Sequence, residues 1–194
     1  MMGCGIMKDY WKGGNMLYPV PAVMVSCGRK GEKPNIITIA WTGTICTNPP
    51  MLYISVRPER HSYNIIKDTK EFVVNLVTKD LTFACDYCGV KSGANVDKFK
   101  EMKLTPLESK HVSCPSIEES PLSLECRVKE IIKLGSHDMF IADVLGVTVS
   151  KEFLDEKGRF NLNKADLIAY SHGEYFELGK KLGKFGYSVQ KKRK

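Results

Sequence analysis

No apolar run in this sequence approaches the ~20 residues that a membrane-spanning helix needs. The opening stretch, Met1 to Lys12, lacks the apolar core and small-residue cleavage site of a secretory leader, and Met7 offers an internal start. There is no G-x-G-x-x-G after a strand and no G-x-x-x-x-G-K-[ST], which speaks against a Rossmann dinucleotide site and a P-loop. No repeat, low-complexity block or linker-like break divides the chain. Cysteine occurs 7 times, an odd count at irregular spacing. That fits reduced thiols in a cytoplasm better than a disulfide framework.

What is present describes one domain with a substantial core: 194 residues, 43% hydrophobic and 26% charged. The net charge of +7 would permit nucleic-acid binding. However, Lys180, Lys181, Lys184, Lys191, Lys192, Arg193 and Lys194 match that whole excess, and a basic tail is ordinarily a solvated end. A nucleic-acid-binding barrel would also need aromatics interleaved with cations. Trp41, Tyr53 and Phe72 do not sit among lysines. The expectation is no nucleic acid and no membrane.

Hydrophobic patterning predicts mostly strands. Ala22–Cys27, Asn35–Thr42, Met51–Val56 and Glu71–Val77 are short, apolar or β-branched runs bounded by turn residues. Helical spacing is expected over Ser62–Lys67, Leu81–Cys88 and Asp97–Met102. After Pro121, Leu124, Cys126 and Val128 alternate with charged residues. The alternation lapses at Glu130, where a β-bulge is one explanation, and is expected to resume at Ile132 and Leu134. Met139–Val149 reads as a long strand, with Gly146 marking a bend. Leu167–Tyr170 and Tyr175–Leu178 are short terminal elements. Strands cluster at both ends with helices between, without strand–helix alternation. This predicts a mainly β chain, an antiparallel barrel with inserted helices.

The most informative stretch is Asn48 to Lys67, where a turn feeds an apolar strand that ends in Arg57, Arg60, His61 and Ser62 before a helix. With Ser62 as N-cap, free backbone N–H groups, the positive end of the helix dipole and cationic side chains would meet there, which suits a phosphate. A solvated basic loop before an ordinary helix reads the same residues equally well. Cys85-Asp86-Tyr87-Cys88 is a C-x-x-C pair. With His111 and Cys114 it makes a chemically possible zinc set, but both cysteines equally fit the buried face of a helix. A thioredoxin-like site lacks its βαβ context. In Lys91 to Phe99, Ser92, Gly93 and Lys98 stand in a polar loop capped by Asp97 at the next helix. Tyr170, Tyr175 and Phe176 suit stacking on a ligand or ordinary packing.

Taken in order, these segments resemble the flavin reductase-like family, which has the FMN-binding split-barrel fold and includes flavoredoxins. The resemblance runs from about Tyr18 to Gly179. It rests on Pro19–Ser26, the N-x-x-T-x-A-W pattern of Asn35–Trp41, Asn48-Pro49-Pro50 followed by Ser55-Val56-Arg57 and His61-Ser62, Phe72–Asn75, Ser92-Gly93 with Asp97-Lys98-Phe99, Pro121–Cys126 and Leu134–His137. It divides the chain into an extension (1–16), the domain (17–179) and a basic tail (180–194).

The resemblance implies a homodimer of six-stranded antiparallel split barrels of Greek-key type, with FMN near the subunit interface. Thr38, Ala40, Trp41, Thr42 and Thr44 would line the isoalloxazine and ribityl side. Ser55, Val56, Arg57, His61 and Ser62 would hold ribityl and phosphate. Asn75 and Leu76 would border the pyrimidine edge, and Ser92, Gly93 and Lys98 would close the site. The implied activity is hydride transfer from NAD(P)H to flavin, or electron transfer of the flavoredoxin kind from a protein donor.

Overall fold

The computed structural model describes residues 7–190. Its centre is a seven-stranded antiparallel sheet in the order β3 (Asn35–Ile39), β2 (Val23–Cys27), β6 (Glu71–Leu76), β9 (Leu122–Lys133), β10 (Asp138–Val149), β5 (Met51–Val56), β4 (Thr42–Cys46). β1 (Val20–Pro21) joins the terminal hairpin of β11 (Ile168–Ser171) and β12 (Glu174–Glu177) in a small second sheet. β7 (Pro106–Leu107) and β8 (Ser116–Ile117) pair alone. The helices α1 (His61–Thr69), α2 (Thr82–Val90) and α3 (Lys98–Glu101) are short.

The mainly β expectation holds, and the sheet curls into a half-barrel. The strand count differs from the six expected, because Asn35–Thr42 is not one strand. The chain turns at Ala40–Trp41, where Thr42 N–H donates to Ala40 O at 3.1 Å and Ser55 N–H donates to Trp41 O at 2.9 Å. The corner carries the chain from one edge of the sheet to the other, so the two edges meet here and part further along. An apolar run on both sides of the corner hides it from periodicity alone.

Period-two alternation decides which side chains enter the barrel. Val23, Val25 and Cys27 of β2, Leu52, Ile54 and Val56 of β5, Phe72 and Val74 of β6, and Phe140 and Ala142 of β10 form the inner core. α1 adds Tyr63, Ile65 and Ile66, and the Tyr63 hydroxyl donates to buried Asp138 at 2.5 Å. The opposite face of β2 and β3, with Met24 and Ile36, packs under Ala84, Cys85 and Cys88 of α2 and Phe99 of α3. Both faces of this part of the sheet are therefore buried. That explains why β2 is fully buried along its length.

The lapse in β9 is a bulge. Ile141 pairs with Glu130 and Ala142 with Val128, leaving Lys129 unmatched. One extra residue reverses the phase for the rest of the strand. Ile131, not Ile132 or Leu134, therefore rejoins the inner core, and Leu134 is exposed. A second shift lies between Val144 and Gly146. A Cβ on Gly146 would stand 2.6 Å from the His111 ring, so the strand needs glycine at that point.

Candidate functional site

Where the two sheet edges part, a cleft of about 440 Å³ opens. One wall is the outer half of β3 and the corner, with Ile37, Thr38, Ile39, Ala40 and Trp41. The other is the end of β5 and the loop after it, with Ser55, Val56, Arg57 and Arg60. α2 contributes Asp86, Gly89 and Val90, the β9–β10 turn contributes His137, and the terminal hairpin lays Tyr170 and Tyr175 across the mouth. The aromatic rings are contiguous, with Tyr170 and Tyr175 centroids 5.5 Å apart and Tyr18 bridging Trp41 and Tyr170 at 6.1 and 6.3 Å. This lining suits a large planar ring with a polar substituent.

A second, smaller cavity of about 170 Å³ adjoins it, sharing Ile37 and Arg60. It is cationic, lined by Arg60, Lys91 and Lys98 together with His61, Ser62, Ser92 and Gly93. Glu59 is the one carboxylate in its lining. The start of α1 borders it with no acidic residue in the first turn, which leaves the positive end of the dipole uncompensated.

The C-terminus of α2 organises this cationic corner. The last carbonyls of a helix need outside donors. Lys98 Nζ donates to Cys88 O at 2.7 Å and to Ile36 O at 2.6 Å, and the Arg60 guanidinium donates to Gly89 O. Thr38 Oγ1 donates to Cys85 O one turn back. Two cations at the negative end of a helix dipole are favourably placed. Lys98 is only 3% exposed, has no ion-pair partner among the described residues, and burial lowers its pKa to about 8. It remains charged at neutral pH. Burial, with Arg57 nearby, also holds His137 below the usual imidazole range.

The structure brings together most of the sequence-derived candidates, in two groups. Thr38, Ala40, Trp41, Ser55, Val56 and Arg57 line the cleft, while His61, Ser62, Ser92, Gly93 and Lys98 line the cationic cavity. Four stand elsewhere. Thr42 is buried and donates to Tyr53 O at 2.6 Å, and Thr44 is exposed on β4. Leu76 packs against the inner core. Asn75 is fully buried, its amide spent on Met24 O, Ser26 Oγ, Val73 O, Ile117 N–H and Ser123 Oγ. It ties β2, β6, β8 and β9 together.

Ser62 is not an N-cap. α1 begins at His61, Arg60 holds the cap position without a side-chain bond, and Ser62 Oγ accepts from Asn35 Nδ2 at 2.7 Å. Asn35 claims the hydroxyl because it lies on the neighbouring strand within the packed layer. Arg57 is half exposed beside Glu59 at 3.5 Å, whereas Arg60 borders both cavities. His137, Asp86 and Gly89 carried no site signal in the sequence, because only the tertiary fold brings their segments to the cleft. Cys85 and Cys88 are buried in the layer above β3, and burial pushes their thiols up to about 12 and about 11. Among the described residues no group of three or more His, Cys, Asp or Glu gathers to hold a metal.

Comparison with known proteins adds the following. The chain is 34% identical over 160 residues to an uncharacterised protein of Archaeoglobus fulgidus, covering 82% of this chain and 88% of that one. It is 25% identical over 130 residues to the FMN reductase (NADH) RutF 2 of Rhizobium rhizogenes, covering 61% and 73%. Among solved structures it superposes on the flavoredoxin of Desulfovibrio vulgaris (Miyazaki F) with a TM-score of 0.87 at 29% identity, covering 95% of this chain and all of that one. Residues 15–179 match the flavin reductase like domain, and the chain belongs to that family.

Proposed function

We propose that this protein binds FMN, with the isoalloxazine in the aromatic cleft and the phosphate in the cationic cavity, and passes hydride from NAD(P)H to the flavin. The observation that carries the reading is the junction at Arg60. A largely apolar, aromatic space of the size that holds small molecules (~300–1,000 Å³) and a cationic one share that residue as a wall. Ring and phosphate of one ligand have these opposite demands.

FMN supplies the redox chemistry once bound, and the protein's task is binding, orientation and exclusion of water. Ile37, Ile39 and Val56, nearly all of whose surface is buried in the inner core, would border the ring from β3 and β5, and the exposed Val90 from α2. The backbone of the Ala40–Trp41 corner, already fixed by its bonds to Thr42 and β5, keeps that border rigid. Arg60, His61 and the start of α1, which line the cationic cavity, would hold the phosphate. Tyr170 and Tyr175 would lie across the mouth of the cleft, where a nicotinamide would have to approach the ring. The chemistry requires no covalent nucleophile or general acid from the chain, so proximity and stacking provide most of the rate. A homodimer follows from the family resemblance, and a second copy of the chain would cover large apolar side chains exposed on the terminal segments, among them Trp11, Leu182 and Phe185.

The flavoredoxin reading is favoured by the structural similarity to the Desulfovibrio protein. It assigns electrons to a protein donor instead of a nicotinamide. Stopped-flow mixing of the FMN-loaded protein with NADH and NADPH separates the two: rapid bleaching of the flavin band supports the reductase, and an unchanged spectrum supports the carrier. Purified protein that neither carries nor takes up FMN ends both readings.

A further inference from the structure

α2 turns a second face away from the sheet. Helix positions three, four and seven apart share one side. Ala84, Cys85 and Cys88 are buried on the inner side. Phe83, Asp86, Tyr87 and Val90 therefore stand together on the outer side, where Phe83 is 76% and Val90 68% exposed. Asp86 and Val90 also line the cleft, so this face forms part of its rim. Asp80, just before the helix, and Asp86 are both exposed, and neither makes an ion pair among the described residues. Asp86 accepts the neutral Tyr175 hydroxyl at 3.2 Å. Of the nearby cations, Lys79 is held by Glu177 at 2.5 Å and Lys91 lines the cationic cavity. The face is thus apolar at its centre and acidic at its edge.

The tail has the complementary make-up. Residues 178–194 carry lysine and arginine but no carboxylate. Leu182 is 93% exposed, with Phe185 and Val189 also uncovered, and Lys180, Lys181 and Lys184 make no ion pair among the described residues. A cavity of about 990 Å³ separates the tail from Leu162, Asn163, Asp166 and Leu167 of its own domain, and α2 does not border it. The chain therefore holds two apolar surfaces of opposite charge and does not bring them together. Across two copies they fit each other. Pairing the α2 face with itself would set carboxylate against carboxylate. Residues 178–190 reach up to about 40 Å when extended, and α2 is about 14 Å long. The exchange is reciprocal, so two copies close on one another.

We infer that residues 178–190 of one copy lie along the Phe83 and Val90 face of α2 in a second copy, so that each protomer completes the rim of the other's cleft. The inference rests on the homodimer reading and says where its arms dock. The family domain ends at residue 179, so this contact belongs to this chain's own tail.

The test joins carboxylates to amines in the full-length protein with a carbodiimide, then digests the monomer and dimer bands of a denaturing gel separately. The dimer band is expected to contain peptides linking Lys180, Lys181 or Lys184 to Asp80 or Asp86. Finding those links only in the monomer band, or in neither, overturns the docking. Phe83 is exposed, so Phe83→Ser leaves the fold intact, checked by an unchanged urea midpoint. It is expected to raise the dimer dissociation constant about tenfold or more, read by sedimentation. A dimer as tight as the wild type overturns the docking and leaves the homodimer standing. A wild type that sediments as a monomer ends both. Phe83→Ser is also expected to release bound FMN several-fold faster, and an unchanged release rate overturns the completion of the rim. Cross-linking and sedimentation need no flavin, so a failed flavin reading leaves both tests in force.

Discussion

The two walls that α2 and the terminal hairpin present to the cleft are held very differently. The α2 wall is pinned from three directions. Thr38, Lys98 and Arg60 each spend a side-chain donor on a carbonyl in its last turns, and two of the three are cations at the end that attracts them. The hairpin wall is tied to α2 itself by one side-chain bond, the Tyr175 hydroxyl to Asp86 at 3.2 Å; its other ties run to β1 by strand pairing, to Val77 O from the Ile168 N–H at 3.3 Å and to Lys79 through Glu177 at 2.5 Å, away from the face it turns to the cleft. The contrast separates tasks. A wall that grips a charged group must already be in place, because reorganising dipoles on binding costs affinity. A wall that admits and releases a second flat molecule gains from yielding.

The difference can be broken at the rigid side first. Lys98→Met leaves two buried carbonyls without their donor. It is expected to lower unfolding stability by about 2–4 kcal/mol, measured by urea titration at pH 7. Lys98 also gives the rigid wall a signature in pH. Its folded pKa, about 8, lies below the ordinary lysine value of 10.5. Between those values the unfolded chain binds the extra proton, so stability rises with pH across this window. The cost of holding a buried charge is fully present below about pH 8 and is gone above about pH 10.5. Wild-type stability should therefore gain on Lys98→Met between pH 8 and pH 10.5, and parallel pH profiles of the two proteins would contradict the assignment.

Arg60→Met tests what the rigid wall is for. FMN affinity is expected to fall about 30-fold, the ~2 kcal/mol of a charge-assisted bond, while riboflavin, which has no phosphate, binds as before. Equal losses for the two ligands would assign Arg60 to the ring instead. Gly89→Ala has a smaller effect. The new methyl stands 3.1 Å from Thr38 Cβ, so the neighbour must shift slightly, at about 1 kcal/mol by chemical denaturation. Tyr175→Phe, on the yielding side, should change stability least, within about 0.5 kcal/mol. Its effect should appear in the reaction of bound flavin with its donor, as a several-fold change in the second-order rate constant. A large loss of stability on Tyr175→Phe would erase the distinction between the walls.

The sequence made different parts of this arrangement legible to different degrees. Alternation located the strands, because burial on one or both faces writes directly into period two, as in β5. The same signal failed at Ala40–Trp41, where both flanking strands are apolar and the corner is held by backbone bonds that leave no mark on side-chain choice. The basic stretch after β5 was visible as charge. Which arginine borders both cavities was not, since that depends on the Gly89 carbonyl, 29 positions away in the chain. Asn75 shows the converse. The resemblance carries Asn75 over to the flavin, whereas the structure spends its amide on five protein partners. Lys98 was legible as a residue of interest, but its burial over two carbonyls needed α2 and β3 to be seen together.

The corner between β3 and β4 has one further consequence. A single short stretch of chain supplies the floor of the cleft and the seam between two sheet edges, so the width of the opening is fixed by bond geometry and not by side-chain volume. Lengthening or shortening this joint is therefore expected to displace both banks at once, a change that no single exchange along either strand reproduces.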